Sequence, residues 1–312
     1  MKYDITALGE ILIDFVPDGT DASGDLRFTR KAGGAPVNLL ATAAKAGKST
    51  AFIGKVGNDM FGRFLKSTLN ENNIDCRALA TDGIRNTTLA FVALDEHGDR
   101  DFSFYRRFGA DAFLNCDDVD TELIKNSEIF HFGSLSLTND CCAEATLFAL
   151  ETAEKAGCII SYDPNYRAPL WENEKTAVTA MLDGLKYADI VKVSREEAVM
   201  LSGETDTADA LKKLACFGPR IVLMTDGANG VNFLFGNETG FVPSLKITPT
   251  DTTGAGDIFF GTFLSCFLSG NGFEGLNMQK LYEYVKSAVT ISGKSTLVHG
   301  AIASIPNEIK EI

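Results

Sequence analysis

The sequence predicts an α/β protein built on a mainly parallel sheet with helices on both faces. Two observations carry that expectation. From about residue 127 onward, strand-like and helix-like runs alternate regularly, the rhythm of βαβ units. The strand-like runs are apolar throughout, as expected of strands covered on both sides. A chain of 312 residues with no repeat, low-complexity tract or long linker allows one large α/β domain or two smaller ones.

In order along the chain, "ITALGEILIDFVPDG" (5–19) reads as extended structure ending in a Pro-Asp-Gly turn. "APVNLLATAAKAG" (35–47) is a small-residue helix with Pro36 near its start and Gly47 as its stop. "TAFIGKVG" is a strand. The next segment, "NDMFGRFLKSTLNENN" (58–73), sets Phe61, Phe64, Leu65 and Leu69 at helical spacing behind an Asp59 cap. Residues 88–106 form two strand-like runs around the turn signal "DEHGD"; an isolated hairpin among helices is often a flap. The alternating part then runs "EIFHFGSLSL" (strand), "NDCCAEATLFALETAEKAG" (helix), "CIISYD" (strand), "EKTAVTAMLDGLKYA" (helix), "DIVKV" (strand), "SREEAVMLSG" and "TADALKKLACFG" (helices) and "RIVLMTDG" (strand). Ligands of such sheets sit at the carboxyl ends of the strands, where "SYDPNYR" (161–167) and "MTDGANG" (224–230) fall.

Composition narrows the partners. Lys and Arg number 29 against 42 Asp and Glu, a formal net charge of −13, so the chain repels nucleic acid and anionic membrane. Phosphate would have to be held by backbone amides and a few placed cations. The seven cysteines show no C-x-x-C pair and the three histidines no metal-ligand spacing. The N-terminus lacks the pattern of a signal peptide, and the longest apolar segment, 258–270, is too short to span a bilayer. A cytoplasmic protein with reduced thiols is expected.

Four motifs carry chemistry. In "DTTGAGDIFF" (251–260) glycines lead into an apolar helix, a ready anion site, yet Asp257 sits at the same start. The bland reading makes Asp257 a helix cap. The functional one gives the amides of Gly254, Ala255 and Gly256 a transferring phosphoryl group and aims Asp257 at the proton of an attacking hydroxyl. In "RKAGGAPVNLL" (30–40), Gly33 and Gly34 form either a tight turn or a close approach to a small ligand, with Asn38 on the next helix able to donate and accept. Asp14 ends an apolar run, as a solvated turn residue or as a grip on sugar hydroxyls. "YRR" and "DPNYR" supply Arg106, Arg107 and Arg167, for surface ion pairs or for an anionic substrate group.

"KAGGAPVN" near the start and "DTTGAGDIFFGTFL" near the end resemble the two signatures of the ribokinase-like (PfkB) carbohydrate kinases, and the likeness runs over essentially the whole chain. "GEILIDFVP", "AFIGKVGNDMFG", "SYDPNYRAPLW" and "ADIVKVSREE" look most like the fructokinases of that family. The resemblance implies one ribokinase-like domain over 1–312, a three-layer α/β/α sandwich, with a small β-sheet lid from about 12–32 and 88–107. It implies an ATP-dependent sugar kinase with Asp257 as base and Gly254, Ala255 and Gly256 as anion hole. Asp14, Gly33, Gly34 and Asn38 look like sugar contacts, with Arg107 and Arg167 as further substrate contacts. Lys192, Ser194, Thr225, Gly227 and Gly230 match nucleotide-binding positions, and Glu197 one that influences Mg²⁺ indirectly. "SREE" carries Ser194 where the family usually has asparagine. Asp251, Thr253, Ser295, Val298, Gly300 and Ser304 match a monovalent-cation site, K⁺ being the expected ion. Relatives often pair through the lid, so a homodimer is a further expectation. The near alternative is a 2-keto-3-deoxygluconate kinase, in which Arg107 and Arg167 would meet the sugar carboxylate, or another sugar or nucleoside kinase of the family. A NAD-dependent oxidoreductase would need a third glycine after "GAGD" and a place in the first βαβ unit. A catalytically dead sugar-binding regulator would not need Asp257 together with the anion-hole glycines.

Overall fold

A computed structural model describes residues 2–94 and 100–312; the expected "DEHGD" turn at 95–99 lies outside the described residues. In chain order the elements are β1 (Tyr3–Leu8), β2 (Leu12–Thr20), β3 (Leu26–Gly33), α1 (Ala35–Lys45), β4 (Thr50–Gly57), α2 (Met60–Glu71), β5 (Ile74–Asp82), β6 (Leu89–Leu94), β7 (Arg100–Tyr105), α3 (Thr121–Lys125), β8 (Ser127–Gly133), α4 (Asp140–Ala156), β9 (Ile159–Asp163), α5 (Glu174–Leu185), β10 (Ile190–Ser194), α6 (Arg195–Ser202), α7 (Thr207–Ala215), β11 (Ile221–Thr225), β12 (Val231–Phe235), β13 (Glu238–Val242), α8 (Ala255–Ser269) and α9 (Met278–Ser295).

The apolar strands make a nine-stranded sheet in the order β13-β12-β11-β10-β9-β8-β1-β4-β5. From β5 to β11 the strands run parallel, and β12 and β13 close one edge antiparallel. Alternate side chains of each strand feed two cores. One packs against α1, α2, α8 and α9, the other against α3 to α7, giving three layers. A second sheet of four strands, β3-β2-β6-β7, stands apart from the first. It is two antiparallel hairpins joined by a parallel β2–β6 pair.

The sequence reading and the structure differ in informative places. The expected turn at 17–19 is strand: β2 runs on to Thr20 through a register shift, with Gly19 at φ +70°, and the chain reverses at 21–25 instead. A bulge absorbs what looks locally like a turn signal. The strand expected to reach Leu137 stops at Gly133, and Ser134–Leu137 winds into a short 3₁₀ turn. β5, β12, β13 and α9 fall in segments without a clear local signal in the sequence.

Helix α8 is buried on nearly every side, the pattern of a central helix rather than a surface one. Its hydroxyls cause no penalty, because Thr262 and Ser265 donate to carbonyls one turn back, those of Ile258 and Gly261. It crosses α1 at Gly261, where a β-carbon would lie 2.7 Å from the Leu39 carbonyl oxygen and 2.8 Å from Thr42 Cβ. That close crossing brings the first turns of α1 and α8, and so Asn38 and Asp257, into contact. Gly261→Val overpacks the crossing and is expected to cost about 2 kcal/mol or more of stability, read as a lowered urea midpoint; an unchanged midpoint would mean that the crossing has slack.

Candidate active site

Helix α8 begins without a side-chain cap. Its N-cap is Gly254 at φ +71°, the left-handed region, and a β-carbon there would meet Ala301 Cβ at 2.5 Å. No N-cap side chain competes for the first amides of the helix, a start suited to an anion, although the Ala255 amide itself donates to the Thr252 carbonyl at 3.2 Å. Asp257 lies in that first turn, and its Oδ2 accepts a hydrogen bond from Asn38 Nδ2 at 2.8 Å. Asn38 Oδ1 is buried with no partner among the described residues, so it can accept from a ligand hydroxyl. Burial first, then the neighbouring Asp163, push the Asp257 carboxyl up to about 6, against the pull of Lys192, Asn38 and Arg167. A carboxylate at the uncapped start of a helix is thus tuned to accept a proton just below neutrality.

Behind it lies a buried ion pair. Lys192 at the centre of β10 donates from Nζ to Asp163 Oδ2 at the end of β9, 2.9 Å away. A β-carbon on Gly256 would stand 3.0 Å from that Nζ, so the ammonium rests against the anion-hole backbone. Burial disfavours the Lys192 charge, but Asp163, Glu197 and Asp257 outweigh it and hold the pKa above the usual lysine value.

The small sheet presents Asp14. A β-carbon on Gly33 would be 2.1 Å from Asp14 Oδ2, and one on Gly34, at φ +122°, would be 2.5 Å from the Glu10 carbonyl oxygen. Both glycines are needed for close approach. Glu10, buried, accepts from the Ala35 amide at 3.0 Å and anchors the start of α1. Burial pushes its carboxyl up to about 7. Between the small sheet and the chain end lies a cavity of about 460 Å³ walled by Asp14, Lys31, Asp251, Thr253 and Gly300, among others.

On the other side of the α8 start, a cavity of about 260 Å³ is lined by Thr225, Gly227, Gly230, Ala255 and Gly256. Leu245, Ile247, Phe259 and Val289 give it apolar walls suited to a flat base. Gly230, at φ +120°, lets the chain pass within a β-carbon's reach of the Val242 carbonyl. Ala255 and Gly256 lie at once in this wall and in the anion hole.

The remaining expected residues divide. Arg167 borders a cavity with Lys192, Ser194 and Glu197 and bears on the Asp257 charge. Arg107 is exposed beside Phe108 and is not brought to Asp257, whereas the adjacent Arg106 is buried. Ser194 and Glu197 form a reciprocal capping box at the start of α6. Both Glu197 oxygens accept backbone amides, from Ser194 and Tyr166, each at 2.7 Å. Any effect of Glu197 on Mg²⁺ therefore runs through the 163–166 loop or through water. Among the described residues there is no cluster of three or more His, Cys, Asp or Glu fit to cage a metal. Asp251 accepts from the Thr253 amide at 2.7 Å and the Gly300 amide at 2.9 Å, and so stitches its loop to the chain end. Ser295 and Ser304 donate their hydroxyls to Ser292 and Ala301 carbonyls and keep acceptor capacity; Val298 sits half-exposed. An acidic side chain between two carbonyl-rich loops is a donor set that fits a monovalent cation.

The sequence reading missed Asp163, Glu10 and the 244–249 wall. Asp163 carried a usable signal, since an acid closing an apolar strand demands a partner. Glu10 lies in plain view in "GEILIDF", but its depth depends on the Gly33-Gly34 turn folding over it.

The sequence profile of the pfkB family carbohydrate kinases matches residues 2–308. Fructokinase-1 of Zea mays is 39% identical over 307 residues, covering 97% of this chain and 95% of the maize protein. Among solved structures, a fructokinase from Xylella fastidiosa with bound ATP superposes with a TM-score of 0.90 at 30% identity, covering 100% of this chain and 98% of that one. A fructokinase from Vibrio cholerae O395, bound to fructose, ADP and calcium ion, gives 0.88 at 31% identity, covering 97% and 96%.

Asp257→Asn keeps the bond partner for Asn38 but removes the proton acceptor. Turnover is expected to fall by about 10² or more with ATP binding intact, and near-normal turnover would mean that the base lies elsewhere. In the wild type, kcat/KM should rise with pH through about 6 as Asp257 loses its proton. A profile flat from pH 5 to 7 would exclude Asp257 as the titrating base.

Proposed function

The chain belongs to the pfkB family of carbohydrate kinases, and we propose that it is an ATP-dependent fructokinase acting on the primary 6-hydroxyl of D-fructose. The observation that carries this reading is a single junction. The uncapped start of α8, with Asp257 in its first turn, lies between a cavity suited to nucleotide and one walled by Asp14. The likeness to fructokinases over nearly the whole chain supports the choice of sugar.

In this mechanism Asp14, the side-chain Oδ1 of Asn38 and the Gly33-Gly34 backbone hold the fructose hydroxyls. Thr225, Gly227 and Gly230 border the nucleotide. Asp257 takes the 6-hydroxyl proton as that oxygen bonds to the terminal phosphorus, and the bond from phosphorus to the bridging oxygen of ADP breaks in line. The Gly254 and Gly256 amides and the Lys192 ammonium face the negative charge on the phosphoryl group in flight, while the Ala255 amide, expected to join them, donates to the Thr252 carbonyl, so catalysis is mainly positioning and preorganised charge. Mg²⁺ carried on ATP neutralises phosphate charge when bound. Asp251, Thr253, Ser295, Val298, Gly300 and Ser304 would hold K⁺, which would add positive charge to the site. The small sheet acts as a lid that keeps out water, the competing acceptor. Its edge strands β3 and β7 are open to pairing with a second copy, and a homodimer through the lid is part of the proposal. So is a cytoplasmic location: the cysteines are free thiols, and among the described residues no helix is long and apolar enough to cross a membrane.

A second reading, a 2-keto-3-deoxygluconate kinase, is favoured by one observation, the nearness of Arg167 to Asp257. The acidic Asp14 speaks against it, since it suits hydroxyls and repels a carboxylate. With ATP and Mg²⁺, fructose is expected to show a higher kcat/KM than 2-keto-3-deoxygluconate, ribose or glucose, measured by ADP release. Efficient turnover of the sugar acid that collapses in Arg167→Ala, with fructose a poor substrate, would promote the second reading. Activity is also expected to be higher in K⁺ than in Na⁺ at equal ionic strength; equal rates would count against a functional cation site.

A further inference from the structure

One buried carboxylate outside the site described so far has no part in the chemistry. Asp111 sits in the 3₁₀ turn Ala110–Phe113 and is 3% exposed. Its Oδ1 accepts from the Thr88 hydroxyl, and its Oδ2 from Arg106 Nε at 2.6 Å. Thr88 immediately precedes β6 and Arg106 immediately follows β7, so one side chain joins both feet of the β6–β7 hairpin. Thr88 and Arg106 are buried as deeply as Asp111.

The contacts continue in both directions. The Thr88 carbonyl accepts from the Ile13 amide at 3.1 Å, one residue before Asp14 on β2. Arg106 Nη2 donates to the Leu135 carbonyl at 3.0 Å and Nη1 to the Thr138 hydroxyl, both in the segment that follows β8 of the main sheet. A continuous polar chain thus runs from the neighbour of Asp14, through Thr88, Asp111 and Arg106, to the main sheet. Gly109 makes it possible, since a β-carbon there would stand 1.8 Å from the Thr88 hydroxyl oxygen. Backbone bonds from Gly109 to Arg106 and from Ala110 to Asn86 already hold the turn, so the carboxylate is not needed merely to form it.

We propose that Asp111 is a positioning residue for sugar binding: with Thr88 and Arg106 it clasps the feet of the small sheet's second hairpin to the main sheet and so sets where Asp14 stands over the sugar. The clasp touches neither sugar nor nucleotide, and the proposal rests on the reading of this chain as a sugar kinase with Asp14 on the sugar. Each of the three guanidinium nitrogens of Arg106 is engaged by it, on Asp111, Thr138 and Leu135. That commitment explains why Arg106, though it faces inward, is not available to a substrate anion.

The test uses steady-state kinetics of the full chain, with the sugar that the wild type takes best in the panel above. Failure of the fructose reading then shows in the wild type, and failure of the clasp only in the variants. Thr88→Val removes one hydroxyl at nearly constant volume, and Asp111→Asn keeps the shape but not the charge. The KM for sugar is expected to rise about threefold and about tenfold respectively, with the KM for ATP within about twofold and kcat largely kept at saturating sugar. The double variant should be no worse than Asp111→Asn alone, because both cut the same clasp. An unchanged KM for sugar, a parallel rise for both substrates, or additive effects in the double variant would each overturn the proposal. Should Asp111→Asn fail to fold, Thr88→Val decides by its two KM values.

Discussion

The site depends on one buried ammonium. Lys192 answers three carboxylates, Asp163, Glu197 and Asp257, in a region from which water is largely excluded. Asp163 is its ion-pair partner, and the Lys192 charge pulls against the burial and the neighbouring Asp163 that push the Asp257 carboxyl up to about 6. The same ammonium rests against Gly256, so the cation that balances the acids also faces the place where phosphate charge would arrive. A side chain on Gly256 would push it away, which is one physical reason for glycine there, beside the needs of the turn.

The fold serves this arrangement by bringing helix starts together. α1 and α8 both begin above the carboxyl ends of the parallel strands, and their glycine crossing lets Asn38 reach Asp257. Neither helix begins with a side-chain cap: Gly34 and Gly254 stand at the N-cap positions, both at positive φ. By contrast α2, α4, α5, α6, α7 and α9 all have capping side chains. Of the two bare starts, that of α8 lines a cavity, while the first amide of α1 is taken by Glu10. Glycine in place of a capping side chain costs only about a few tenths of a kcal/mol, and at α8 a start clear of side chains is the use made of it.

How much of this was legible follows from the range of each signal. Local patterns placed α1, α2 with its Asp59 cap, and the alternating run from β8 to β11, because apolar period and capping residues are written within a few positions. "TGAGD" and "AGGAPVN" were legible for the same reason. What was not legible depends on contacts between distant segments. The Pro-Asp-Gly of β2 reads as a turn until its partner β3 is seen across the bulge. Arg107 and Arg106 are equivalent in a string, and only the turn carrying Asp111 decides which guanidinium turns inward. Lys192 looks like any lysine in an apolar strand until Asp163 is placed on the adjacent one.

The net charge of −13 might seem at odds with a protein that holds ATP. The conflict dissolves on scale. At physiological ionic strength, surface charges are screened within about 8 Å, whereas in the proposed mechanism the groups that meet the phosphate are backbone amides and Lys192, all at the site itself. Interactions there pass through protein rather than water and are screened far less. The acidic surface still acts on encounter, since it slows the approach of a free nucleotide anion and does so less as salt rises. It leaves the bound state to local geometry. That division explains how an acidic chain can carry an anion site built almost without basic side chains: the α8 start supplies fixed dipoles, which repel nothing when the site is empty and need no counter-charge in the fold.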